Sequence, residues 1–182
     1  MNAAMLGRAF RLSGSTHYMD MQTRFLLQAN IQQADGLFWH CRSAPYYWGR
    51  GNGFALLGCS ETLSFLPTEH ADYAALVQTH VRHLEALCAL QQASGMYPQV
   101  LNVPGSYQEF TITCMIGFAM ARALRRGWIE ASYRSAIDLA WQGVKERLDD
   151  SGGLVDCCTN TGVQDSVQAY IDRPAVFGRD DR

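Results

Sequence analysis

Residues 54–67, Phe54-Ala55-Leu56-Leu57-Gly58-Cys59-Ser60-Glu61-Thr62-Leu63-Ser64-Phe65-Leu66-Pro67, form one apolar-rich run that a proline stops. Its apolar residues recur every three or four positions, the period of an α-helix with one face against a core. Pro67 ends it because a proline nitrogen carries no hydrogen for the helical ladder. Only Leu66 to His70 separate this helix from a second periodic run, about Ala71 to Gln92, with Tyr73, Val77, Val81, Leu84 and Cys88 on one stripe and Gly95 beyond its end. So short a link folds two helices back on each other. The unit is a helical hairpin, and the sequence on either side repeats it.

Upstream, a helix over the opening dozen residues, Ala3-Ala4-Met5-Leu6 to Phe10 and Leu12, stops at Ser13-Gly14-Ser15. The next begins near Thr16, a residue type that caps helix N-termini, and runs through Met19, Phe25, Leu26 and Ile31 to Gln33, where Asp35-Gly36 breaks it. Downstream, Glu109 to Arg126 places Ile112, Met115, Ile116, Ala119 and Ala123 inward, with Gly127 as C-cap. A last helix covers Ala131 to Leu148, before Asp149-Asp150-Ser151-Gly152-Gly153. Tight turns alternate with longer loops rich in aromatics and glycine, so one set of loops only reverses the chain and the other builds a surface. This implies an all-α toroid or solenoid, here as a single domain over 1–182. Leu154 to Cys158 and Val167 to Ile171 read as short extended pieces. No repeat is visible in the residues themselves, so any repetition is structural.

Composition excludes several functions. Fifteen Lys and Arg against 17 Asp and Glu leave a formal charge of -2 without a basic face, so no nucleic-acid partner is expected. No stretch approaches the roughly 18 apolar residues of a membrane span, and the first residues do not form a basic-then-apolar export signal. A soluble, cytoplasmic protein with no membrane partner is the expectation. The six cysteines are scattered, three of them inside helical apolar runs, which suits reduced thiols packed as small hydrophobes. Adjacent Cys157 and Cys158 fit neither a zinc knuckle nor a redox pair. His80-x-x-His83 with Glu85 puts two imidazoles on one helix face. No third ligand converges on them in sequence, so a solvated helix face is expected and no metal.

The chemistry concentrates in two neighbouring stretches, Gly36-Leu37-Phe38-Trp39-His40 and Tyr46-Tyr47-Trp48-Gly49-Arg50-Gly51-Asn52-Gly53-Phe54. Aromatic faces stack on the apolar C–H face of a sugar, and a guanidinium pairs with a carboxylate through two parallel hydrogen bonds. Interleaved glycines let backbone and ligand approach closely. Together these groups suit an acidic sugar. The alternative reading is an aromatic loop that merely caps a core, and residue types alone leave both open.

Trp48-Gly49-Arg50-Gly51-Asn52-Gly53-Phe54 resembles the Trp-x-Arg-Gly-Asn-x-Trp segment of unsaturated rhamnogalacturonyl hydrolases, glycoside hydrolases of the family 105 type. Gly36 to His40 is similar to that family's Gly-Leu-aromatic-aromatic-His. Further resemblances follow in the family's order: Leu66-Pro67, Gly95-Met96-Tyr97-Pro98-Gln99-Val100, Tyr107-Gln108-Glu109, Gly127-Trp128-Ile129 with Tyr133, Trp141-Gln142-Gly143 and Thr161-Gly162. The resemblance implies an (α/α)6 six-hairpin toroid, with about half of the ring present as antiparallel hairpins. It also implies removal of an unsaturated galacturonic acid from the non-reducing end of rhamnogalacturonan oligosaccharides, without metal or organic cofactor. The reaction hydrates an enol ether: an Asp protonates C4, water adds at C5, and the resulting hemiketal opens and expels the aglycone. A carboxyl group can serve both steps, first as acid and then as base.

Carried over, His40, Trp48, Arg50, Asn52, Phe54 and Glu109 are the implied substrate-binding residues. His40 would hydrogen-bond the uronate or the attacking water, Trp48 would stack, Arg50 would pair with an acidic edge, and Asn52 would orient Arg50 or the sugar. Glu109 would sit at the inner rim; its bland alternative is a helix-terminal carboxylate favoured by the macrodipole. Met1-Asn2-Ala3-Ala4-Met5-Leu6 resembles what directly follows the family's catalytic Asp, so that acid is expected upstream of Met1 and no catalytic residue is assigned here. The 182-residue chain is then expected to be inactive alone, with apolar faces left open where the rest of a ring would pack. Phe54 stands where the family usually has Trp, and the stretch between His40 and Trp48 is short, both of which bear on the leaving-group side. Two alternatives remain: a family 88 type unsaturated glucuronyl hydrolase, and a non-catalytic helical carbohydrate-binding or interaction protein.

Overall fold

The computed structural model describes residues 2–29 and 31–178; Met1, Asn30 and the stretch Arg179 to Arg182, beyond which the resemblance implies a closing helix, lie outside them. Six of its helices pair in sequence order: α1 (Asn2–Ser13) with α2 (His17–Gln28), α3 (Gly49–Phe65) with α4 (Tyr73–Cys88), and α5 (Phe110–Arg126) with α6 (Arg134–Lys145). Helix α3 packs on both α1 and α5, which makes the three hairpins an arc with α3 at its centre. A 3-10 turn, Ala131–Tyr133, leads into α6. Two small antiparallel ladders join the loops, β1 (Tyr97–Pro98) with β2 (Gln108–Glu109), and β3 (Leu154–Cys158) with β4 (Ala175–Gly178). A short helix, α7 (Val167–Ile171), lies between β3 and β4.

The hairpins hold because the stripes seen in the sequence meet. Leu56, Leu84, Leu87, Ile112, Ile116 and Met120 form one fully buried cluster between α3, α4 and α5. Met19, Cys59, Leu63, Leu66 and Leu76 form a second between α2, α3 and α4. Each such side chain contributes roughly 1.5–3 kcal/mol by leaving water. The clusters hold the helices, and the helices set where the loops emerge. Large apolar side chains stay exposed on the outer hairpins: Met5, Leu12, Met21 and Phe25 on α1 and α2, and Phe118, Leu139 and Trp141 on α5 and α6.

Several boundaries differ from the sequence reading. Helix α3 begins at Gly49, five residues before Phe54, although glycine is a poor helix former. Tertiary packing overrides propensity here: a Cβ at Gly53 would lie 2.6 Å from the Met115 sulfur of α5, so the glycines let two helices touch. Val167 to Ile171 is helical and not extended, because Ser166 caps it by accepting the Ala169 N–H at 3.1 Å. Gly127 adopts the left-handed conformation expected of a C-cap, with φ 72°. Thr16 precedes α2 without a side-chain cap bond.

The His80-x-x-His83 pair also departs from expectation. Both imidazoles are buried and not solvated, while Glu85 is exposed on another face of α4. Burial pushes their pKa values down to about 4 and about 3. Among the described residues no group of three His, Cys, Asp or Glu could hold a metal ion. Cys41, Cys59, Cys88, Cys114 and Cys158 are free thiols. No helix among the described residues is long and apolar enough to cross a membrane.

Candidate functional site

Two long loops meet at one rim of the arc. The Gly49 N–H donates to the Gln99 carbonyl at 2.8 Å, and the Leu101 N–H donates to the Tyr47 carbonyl at 3.0 Å, so residues 47–49 run antiparallel to residues 99–101. The connections before α3 and before α5 therefore share a rim, as their separation by one full hairpin predicts. A tight reversal, with the His40 N–H on the Tyr46 carbonyl at 2.9 Å, then turns His40 back toward Trp48.

The His40 and Trp48 rings lie 4.6 Å apart between centroids, and Tyr170 of α7 closes on both, 5.6 Å from His40 and 6.1 Å from Trp48. Tyr46 completes the aromatic group, 5.5 Å from Tyr170. The guanidinium carbons of Arg50 and Arg173 stand 5.3 and 4.8 Å from the Trp48 ring, within cation–π range. Arg50 donates to the Cys158 carbonyl at 2.6 Å and to the Asn160 carbonyl. Arg173 donates to the same Asn160 carbonyl at 2.8 Å and to the Gly162 carbonyl. Asn160 has φ 66°, a left-handed conformation that asparagine tolerates, and its carbonyl serves both arginines.

The electrostatics follow from these partners. Carbonyl dipoles hold Arg50 and Arg173, and no ion pair neutralises either one among the described residues. The Nε atoms of both arginines and Nε1 of Trp48 are buried without a hydrogen-bond partner. Burial and the neighbouring Arg173 charge hold the His40 pKa below its ordinary value. Burial raises the Tyr170 pKa, which keeps its phenol protonated. The cluster is a positively charged, aromatic-rich face that holds buried N–H groups without partners.

The six residues implied by the resemblance separate into two groups. His40, Trp48 and Arg50 come together. Trp48 is only 2% exposed, covered by Tyr170 and Arg173, so it does not offer a face for stacking as expected. Asn52 orients neither Arg50 nor a ligand: it is fully buried, accepts from the Phe38 N–H at 2.8 Å and from His83 Nε2 at 3.0 Å, and donates to the Phe38 and Trp48 carbonyls. Phe54, 46% exposed, lines an apolar groove of α1, α2 and α3 with Leu6, Phe25 and Phe38. Glu109 is the buried N-cap of α5, accepting from Ile112 N at 2.6 Å, from the Thr111 hydroxyl and from Cys158 N at 2.8 Å, which leaves it no rim role.

Tyr170 and Arg173 carried no signal in the sequence, because they reach the site only after the chain has passed 130 positions beyond His40. Thr161-Gly162 pointed to the right segment: the Gly162 carbonyl holds Arg173, and the neighbouring Asn160 carbonyl holds both arginines.

A helical-hairpin arc whose long-loop rim gathers aromatic, imidazole and guanidinium groups places the chain in the class of six-hairpin helical glycosidase folds. The family model of Glycosyl Hydrolase Family 88 matches residues 1–177, and the chain belongs to that family. Among characterised relatives, it is 26% identical over 111 residues to an unsaturated 3S-rhamnoglycuronyl hydrolase of Alteromonas sp. (strain LOR), covering 59% of this chain and 27% of that protein. It is 24% identical over 128 residues to the unsaturated rhamnogalacturonyl hydrolase YesR of Bacillus subtilis (strain 168), covering 70% of this chain and 36% of that protein. A crystal structure of a possible member of the GH105 family from Salmonella enterica serovar Paratyphi A superposes with TM-score 0.86 and 25% identity, over 95% of this chain and 49% of that one. The chain thus spans about half of that structure, and its match covers 27% and 36% of the two curated relatives.

Proposed function

We propose that this chain provides the uronate-binding side of an unsaturated uronyl hydrolase that removes an unsaturated galacturonic acid from rhamnogalacturonan oligosaccharides by hydrating the C4=C5 enol ether. The observation that carries the reading is the pair Arg50 and Arg173, two guanidinium groups over the Trp48 ring that packs on His40, with no carboxylate ion-pair partner among the described residues. Fixed positive charge without a counter-ion suits an anionic ligand, since an ionised acceptor strengthens each hydrogen bond it receives. Both curated relatives carry rhamnose and an unsaturated uronyl unit in their names, which favours a rhamnose-linked substrate over a glucuronyl one. Glu109, the one carboxylate among the implied site residues, is committed to capping α5 and is not available to protonate C4. The 182-residue chain alone is therefore expected to bind and not to turn over.

The test is an incubation of the chain with unsaturated galacturonyl-rhamnose and, separately, with an unsaturated glucuronyl disaccharide, following the ultraviolet absorbance of the double bond. Binding is followed in parallel by tryptophan fluorescence. Expected is saturable binding of the first sugar without loss of absorbance, and recovery of turnover when the chain is extended by an upstream segment that carries an Asp. Robust turnover by the short chain, abolished by replacing one of its own carboxylates, would overturn this assignment. Preference for the glucuronyl sugar would overturn the substrate.

A further inference from the structure

His40 Nδ1 and the Tyr170 hydroxyl are 2.5 Å apart, and the direction of that bond follows from their other partners. The Tyr170 oxygen already receives the Gln164 backbone N–H at 3.2 Å. A backbone N–H only donates, so this contact leaves the single phenolic proton uncommitted. Among the described residues no other acceptor lies within reach of that oxygen, so the proton goes to His40 Nδ1. An imidazole that accepts at Nδ1 and is neutral carries its own proton on Nε2. Nothing among the described residues hydrogen-bonds to Nε2.

The surroundings hold this arrangement. Tyr170 is fully buried between the His40, Tyr46 and Trp48 rings, which hold the phenol in place, and its backbone carbonyl receives Gln99 Nε2 at 3.3 Å. The groups facing the His40 ring are Trp48 at the start of α3, and Tyr170 and Arg173 from the C-terminal segment. None is a carboxylate, and Arg173 is permanently cationic, so an imidazolium here gains no ion pair and meets like charge.

We infer that Tyr170 is a positioning residue that fixes His40 as the neutral Nε2–H tautomer, so that His40 meets a ligand as a hydrogen-bond donor and not as a base. This rests on the uronate reading for the ligand's identity but not for the tautomer. For an unsaturated uronate, the donor would reach a carboxylate or hydroxyl oxygen of the sugar. It would not take a proton from the attacking water, because its one basic nitrogen is occupied by Tyr170.

The experiment is long-range proton–nitrogen correlation NMR on the 182-residue chain labelled with nitrogen-15 histidine at near-neutral pH, with His40→Gln to assign the signals. Expected is a single Nε2–H pattern for His40 and a strongly downfield, exchange-protected Tyr170 hydroxyl proton. Tyr170→Phe, which keeps the aromatic packing, should abolish that proton and let His40 populate the Nδ1–H form, with unchanged far-ultraviolet circular dichroism. An Nδ1–H signal in the parent chain, or a Tyr170→Phe spectrum identical to the parent's at His40, would overturn the assignment. Should Tyr170→Phe not fold, the parent spectrum still decides between the two tautomers. Adding unsaturated galacturonyl-rhamnose separates the two readings. A shift at Nε2 supports both, and an intact Nε2–H tautomer that no sugar perturbs overturns the uronate site while leaving Tyr170's role standing.

Discussion

Replacing Asn52 by Ala should be among the most damaging single changes in the chain, although Asn52 lies in the segment that resembles a substrate-binding motif. Its fully buried side chain makes four hydrogen bonds, joining the Phe38 backbone on both its N–H and its carbonyl, the Trp48 carbonyl, and His83 of α4. Truncation leaves the Phe38 N–H, the Phe38 carbonyl and His83 Nε2 without partners in a site closed to water. The Trp48 carbonyl keeps the Asn52 backbone N–H at 3.1 Å. At about 1–3 kcal/mol for each abandoned group, the sum is about 4 kcal/mol, even if one of the three relaxes onto a new partner. Urea unfolding followed by circular dichroism and tryptophan fluorescence measures it, and a chain less stable than this would appear unfolded in buffer. Since the His40 loop is tied down through Phe38, Trp48 fluorescence should report disorder of the site before the helices melt. A loss below about 1 kcal/mol would refute the reasoning, because it would mean that the abandoned groups find water or other partners.

Other consequences follow from the same structure. Glu109→Ala should cost about 2 kcal/mol or more, since the carboxylate caps α5 and also holds the Cys158 N–H, whereas Glu109→Gln should cost less by keeping one acceptor oxygen; urea midpoints compare them. His80 and His83 are held neutral by burial, so the unfolded chain binds more protons below the ordinary histidine value of 6.5. Their contribution is fully present above that pH and is lost as pH falls toward about 4 and about 3, so stability should drop over this window, by roughly 3 kcal/mol from His80 alone near pH 4. His80→Leu should flatten that slope and leave stability at neutral pH equal or higher, because both ring nitrogens of His80 lack partners; a pH series of urea melts checks both. Arg173→Leu should weaken binding of the unsaturated galacturonyl sugar more than that of a neutral disaccharide, by about tenfold if one charge-assisted bond is lost, as read by fluorescence titration.

Much of the architecture was legible because helical periodicity is a local property. The Phe54 to Phe65 stripe and the Pro67 stop were enough to give the central hairpin, and Gly127 marked an end that its positive φ bears out. The errors are equally physical. Gly49 and Gly53 lie before the apolar run that marks the helix in sequence, but close packing against Ile112 and Met115 of α5 makes that stretch its first turns. His80 and His83 looked solvated because polar residue types usually are; α4 nevertheless turns them inward, toward Asn52 and Trp128. At the site, Trp48-x-Arg50 and His40 were visible as a dense run of sugar-binding residue types, while Asn52 and Glu109, though in the same motifs, prove to be structural.

By itself, then, the sequence determined the elements that depend on neighbours a few positions away: six apolar stripes, the turns between them, and a glycine-spaced aromatic stretch rich enough to suggest a sugar. What only the tertiary structure decided is which of those polar side chains remain free for chemistry. A side chain's hydrogen-bonding capacity is finite, and partners such as Tyr170, Arg173 and the Asn160 carbonyl reach the His40 loop across more than a hundred residues. No spacing rule encodes such a meeting. It exists because the hairpin cores place the rim loops side by side, and the chain beyond α6 folds back over them.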